Sequence, residues 1–127
     1  MRTADSRSSR VFFMQRIKRR NVALEVCPIS NQLLRYTPDL RMHLIGEYMN
    51  RGIECVICSD DPSILGNGGL IYDFWEVYYS QIIDLKAIKK LIINSYMYSG
   101  MTQEEYNIKI SQWEEEWNRF VEREIVE

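Results

Sequence analysis

Asp60 and Asp61 follow a run of apolar and β-prone residues, Ile53-Glu54-Cys55-Val56-Ile57-Cys58, and precede Pro62. Proline lacks a backbone donor and cannot sit in a central ladder, so a strand here stops at Asp61. Paired acids at the carboxyl end of a parallel strand point to carboxylate chemistry rather than to stability. The plainer alternative is a solvated Asp-Asp-Pro turn in which Asp60 caps the following segment. Three cysteines also carry reactive atoms: Cys27, Cys55 and Cys58. An odd number leaves at least one free thiol, and their spacing is not that of a disulfide framework. Cys55 and Cys58 lie three apart, and in a strand such positions face opposite ways. They therefore read as small buried hydrophobes rather than as a shared metal or redox pair. The single histidine, His43, falls inside a predicted helix and reads as a surface or packing residue.

The elements that must position the two acids can be read on either side of them. The chain has 127 residues, the length of one ordinary domain. Its formal net charge of −2 argues against nucleic-acid binding by the chain as a whole. Basic residues crowd the start (Arg2, Arg7, Arg10, Arg16, Lys18, Arg19, Arg20) and glutamates the end. No apolar run approaches the roughly 20 residues that a membrane helix needs. Val11-Phe12-Phe13-Met14 is too short for the apolar core of a signal peptide.

Residues 1–10 are polar and basic and read as disordered, with residues 11–127 as the folded part. Val11 to Arg20 forms the end of a helix, with Asn21 as its stop. Val22 to Cys27, closed by Pro28, reads as a strand, and Ile29-Ser30-Asn31-Gln32 as a polar segment after it. Thr37-Pro38-Asp39 opens a helix predicted to run to Arg51, with Leu40, Leu44, Ile45, Tyr48 and Met49 as its apolar stripe. Gly52 stops that helix, and the strand leading to Asp60 follows. Strand, helix and strand in this order make a parallel crossover, which sets the two strand ends side by side. After Pro62, Gly66-Asn67-Gly68-Gly69 lacks the lysine and spacing of a phosphate loop and reads as a flexible turn. Leu70 to Ile82 is rich in aromatics expected to pack inward. Asp84 caps a helix from Leu85 to Ser99, with Leu85, Ile88, Leu91, Ile92 and Tyr96 inward. Thr102-Gln103-Glu104-Glu105 is a capping box that opens a long helix striped by Tyr106, Ile110, Trp113, Trp117 and Phe120.

Leu24-Glu25-Val26-Cys27-Pro28-Ile29-Ser30-Asn31-Gln32, Asp39-Leu40-Arg41, Ser59-Asp60-Asp61-Pro62, Gly69-Leu70 and Tyr72-Asp73-Phe74 together resemble the C-terminal part of the adenosine deaminase family. The similarity covers roughly residues 16–123 and looks nearest to the secreted branch, the adenosine deaminase-related growth factors. It implies an α/β fold, the C-terminal portion of a (β/α)8 barrel holding strands seven and eight and the C-terminal helices. It also implies zinc-dependent hydrolytic deamination of adenosine or 2′-deoxyadenosine to the inosine product and ammonia. By the same resemblance Asp60 is a zinc ligand, and Asp61 hydrogen-bonds a purine ring nitrogen. An extracellular protein and a homodimer of the complete protein are further implications, with no nucleic-acid or membrane partner. The family's His-x-His pair, its other active-site histidines and its glutamate proton shuttle have no counterpart in this sequence. The expectation is a C-terminal piece that is inactive alone and binds zinc poorly. A non-catalytic remnant or interaction module is the alternative.

Overall fold

The computed structural model of the chain describes residues 6–66 and 68–126. Its centre is a pair of parallel strands, β1 (Leu24–Val26) and β2 (Cys55–Ile57), in register Leu24↔Cys55, Glu25↔Val56 and Val26↔Ile57. Helices α1 (Ser6–Arg19), α2 (Pro28–Leu33), α3 (Ile45–Asn50), α4 (Pro62–Leu65), α5 (Leu70–Gln81), α6 (Leu85–Met97) and α7 (Gln103–Val121) follow in chain order around the strands. A 3₁₀ turn at Leu40–Met42 precedes α3, and a π turn at Glu122–Val126 follows α7.

Alternation along the strands builds the core. Val26, Cys55 and Ile57 are buried with Ile45, Val77 and Leu91, and Leu24, Tyr48, Met49, Phe74 and Ile83 pack around them. One face of the sheet is thus covered by α3, α5 and α6. Asn94 of α6, itself buried, donates from Nδ2 to the Cys55 carbonyl at 2.9 Å and locks that helix to β2. The predicted crossover between parallel strands is present.

Two sequence-read caps hold as written. Asp84 Oδ1 accepts from the Ala87 amide at 2.8 Å, and Thr102 and Glu105 form the reciprocal capping box of α7. The stripe of α7 packs toward α6: Trp113 lies 6.4 Å from Tyr96 and 5.3 Å from Trp117, and Lys89 sits over both indoles. Asn21 ends α1 in a left-handed conformation, φ 50°.

Other expectations need correcting. The first helix opens at Ser6, not Val11, so residues 6–10 are helical rather than disordered; arginine is a good helix former and extends the helix cheaply. Residues 1–5 lie outside the described residues. Both strands are three residues long instead of six. Ile29 to Gln32 is part of α2, with Pro28 at its first turn. The glycine-rich turn has Gly66 at φ 68° and Gly69 at φ 112°, left-handed values that favour glycine; Asn67 lies outside the described residues. Leu85 is exposed, and of the aromatics in α5 only Phe74 lies against the core. Trp75 and Tyr79 stack on each other at 5.1 Å on the outer face.

The largest correction falls on the helix predicted from Pro38 to Arg51. Asp39, not Thr37, caps the segment, and what it caps is the 3₁₀ turn. His43 then breaks the path. Its backbone is extended (φ −66°, ψ 139°), and its ring Nδ1 accepts the Ile45 amide at 3.1 Å. The ring is buried, and its Nε2 lies 2.9 Å from the Asn31 side-chain amide. The Asn31 atom facing Nε2 is Nδ2; with Nδ1 accepting, the neutral ring carries its proton on Nε2, so the pair is satisfied with the Asn31 amide turned over to present its oxygen. His43 is therefore a buried tie between α2 and the start of α3.

Burial lowers the His43 pKa from its ordinary 6.5. A lowered pKa means that the unfolded chain binds the proton more tightly. Stability is then full above 6.5 and is lost as pH falls below it. Urea titrations at pH 7.5 and at pH 5.5 should show a lower midpoint in acid. His43→Gln should flatten that difference while costing about 1–3 kcal/mol at neutral pH through imperfectly replaced hydrogen bonds. An equal acid loss in both proteins would remove His43 as its source.

Candidate active-site segment

The carboxyl ends of β1 and β2 are adjacent, and one side-chain hydrogen bond joins them. The ladder runs on to the Cys58 amide, which donates to the Val26 carbonyl at 2.9 Å. Beyond it the chain turns through Asp60, whose φ of 56° is a left-handed value that Asp and Asn tolerate better than most residues. Ser30, fully buried in α2 just past β1, donates from Oγ to Asp60 Oδ2 at 2.7 Å. Among the described residues Asp60 Oδ1 takes no hydrogen bond, and the residue is exposed. Asp60 and Asp61 therefore both lie just past the end of β2, and Ser30, just past the end of β1, reaches the first of them.

Asp61 occupies the N-cap position of α4, but its carboxylate makes no capping bond. Its backbone carbonyl accepts from Ile64 and Leu65 instead. The solvated-turn alternative had Asp60 as the cap; the cap position belongs to Asp61, and neither carboxylate serves it. Among the described residues, the hydrogen bond to Asp60 comes from Ser30 instead, on Oδ2.

Sequence reasoning set the Ser30-Asn31 segment beside Asp60-Asp61 but gave Ser30 no bond of its own, and it gave Asp73 no role. Asp73 is fully buried on α5, and its Oδ1 accepts from the Ile29 amide at 3.1 Å. It thereby fixes the segment that carries Ser30. An acid inside the aromatic run Leu70–Tyr79 was the available signal, because a buried carboxylate needs donors and is rarely kept for packing.

The cysteines remain protonated at neutral pH. Burial, then the neighbouring Cys58, Asp60, Asp73 and Glu25, pushes the Cys27 thiol up to about 11. Burial, with Glu54, pushes Cys55 to about 11, and burial, with Glu25 and Asp73, raises Cys58. Thiolates are the metal-binding form, so this environment disfavours the cysteines as ligands. Among the described residues no three His, Cys, Asp or Glu side chains converge as a metal site. Asp60 on its own has the form of one ligand: an exposed carboxylate with one oxygen engaged and the other open. A catalytic zinc takes about three protein ligands, and this single open carboxylate does not make up such a set.

Two parallel strands packed against helices, with two acids just past the carboxyl end of β2, have the arrangement of a segment of an α/β barrel. Comparison with known proteins agrees. The sequence pattern described as "Adenosine deaminase" matches residues 8–112. The chain is 41% identical over 110 residues to adenosine deaminase 2 of Dictyostelium discoideum, covering 86% of this chain and 20% of that protein. It is 43% identical over 106 residues to adenosine deaminase 2 of Sus scrofa, covering 81% and 21%. The crystal structure of an adenine deaminase from Arthrobacter aurescens superposes with a TM-score of 0.72 at 25% identity, covering 80% of this chain and 32% of that one. The chain belongs to the adenosine deaminase family. It spans about a fifth of the length of the curated relatives it matches.

Proposed function

We propose that this chain is the segment of a zinc-dependent adenosine deaminase that supplies one metal ligand and one substrate contact. The reaction is hydrolytic: water adds at the purine C6 of adenosine or 2′-deoxyadenosine, and ammonia leaves. The observation that carries the reading is the Ser30–Asp60 hydrogen bond, which ties the end of one barrel strand to the acid at the end of the next. Asp60 would hold the metal, with Ser30 engaging one of its carboxylate oxygens. Asp61 faces the ligand and hydrogen-bonds a ring nitrogen. Zinc, when bound, supplies a lowered pKa for the attacking water. The other ligands and the proton shuttle come from parts of the full-length relatives that this chain does not match, about four-fifths of their length. Resemblance to the growth-factor branch supports an extracellular enzyme that pairs as a homodimer. No helix among the described residues is long and apolar enough to cross a membrane.

The reading has two experimental sides. The 127-residue chain alone, incubated with zinc and adenosine, should retain less than one zinc per chain and form no inosine. A hybrid, in which the matched residues of this chain replace those of the Sus scrofa adenosine deaminase 2, should bind zinc and deaminate adenosine. Inosine formed by the chain alone, or a folded hybrid without zinc, would defeat the proposal.

A further inference from the structure

We infer that Ser30 is a positioning residue for the metal-binding carboxylate, with Asp73 as the anchor that holds Ser30 in place; this rests on the reading of Asp60 just given. Asp60 is an exposed side chain on a turn, and an untethered aspartate there would sample several rotamers. Ser30 removes that freedom. Its hydroxyl is buried at 1% exposure, and its 2.7 Å bond to Asp60 Oδ2 has the length expected of a hydroxyl donating to an ionised carboxylate. One oxygen is thereby saturated and the other left for a ligand, which biases the carboxylate toward single-oxygen binding.

The tether is itself fixed. Ser30 sits in a six-residue helix that begins at Pro28. The amide of Ile29, next to Ser30, donates to Asp73 Oδ1, and Asp73 is 0% exposed on the twelve-residue α5. A relay of two hydrogen bonds therefore runs from α5 through the end of β1 to the acid at the end of β2. Groups that orient a ligand in this way contribute about tenfold to a hundredfold to metal affinity.

The hybrid enzyme provides the test, with zinc affinity read by chelator competition. Ser30→Ala should raise the zinc Kd by about tenfold to a hundredfold. Activity should return to within a few-fold of the parent hybrid when zinc is saturating, because the chemistry itself is intact. Ser30→Cys keeps the side-chain volume but donates weakly, and should behave like Ser30→Ala. Ser30→Thr keeps the hydroxyl and should restore affinity toward that of the parent. Parental zinc affinity in Ser30→Ala and Ser30→Cys, beside an Asp60→Asn variant that loses zinc, overturns the inference and leaves the function standing. An Asp60→Asn variant that keeps zinc at parental affinity overturns the function instead. Loss of the folded circular-dichroism signal in Ser30→Ala and Ser30→Cys makes Ser30 a packing residue and also overturns the inference.

Discussion

Asp60→Asn in the hybrid enzyme is expected to abolish zinc retention through dialysis and to reduce kcat/KM by about a thousandfold. The substitution is chosen for the backbone. Asp60 has a φ of 56°, and asparagine tolerates that left-handed geometry, whereas alanine would add strain of its own. Asparagine also preserves size and can still accept from Ser30, so the fold at the end of β2 should survive. What it removes is the negative charge. An amide oxygen is a poor substitute for a carboxylate toward a dication. Losing a metal that contributes about 4 kcal/mol of transition-state stabilisation corresponds to about three factors of ten in rate. Thermal unfolding of the variant should stay close to that of the parent hybrid, which separates loss of the metal from loss of the fold.

Asp61→Asn is expected to act differently. Asp61 is exposed and its carboxylate makes no capping bond to α4, so the substitution should leave stability nearly unchanged. Zinc content should equal that of the parent. The contact proposed for Asp61 is a hydrogen bond between a charged acid and a purine ring nitrogen. Such bonds contribute about 1.5–3 kcal/mol, so kcat/KM should fall by about tenfold to a hundredfold. The pair of variants thus dissects the two acids: one loses metal and activity together, the other activity alone. Equal metal loss in both would mean that the acids share one role, contrary to the division proposed.

How much of this was legible in the residues depends on the range of the interactions involved. Pro62 marked a break after Asp60 and Asp61 by local chemistry, so their place past the strand could be read directly, but β2 already ends at Ile57 and the chain turns at Asp60. Thr102 with Glu105, and Asp84 with Ala87, are bonds across three residues, and both caps were readable for the same reason. Ser30 bonds an acid 30 residues away, and Asp73 an amide 44 residues away, and no periodicity announces such pairs. His43 misled the reading because the apolar spacing of Leu40, Leu44 and Tyr48 fits one helix. The buried ring takes the Ile45 amide for itself and points its other nitrogen at Asn31, so the helix starts later. The outer face of α5 misled it in another way. Trp75, Tyr78 and Tyr79 were assigned inward on composition, but a helix buries only one face against this two-stranded sheet.

Zinc-edge anomalous diffraction from crystals of the hybrid tests the central claim most directly. A zinc peak is expected in contact with a carboxylate oxygen of Asp60, with Ser30 Oγ on the other oxygen and Asp61 turned toward the substrate pocket. A fully occupied zinc with Asp60 turned away from it would contradict the account.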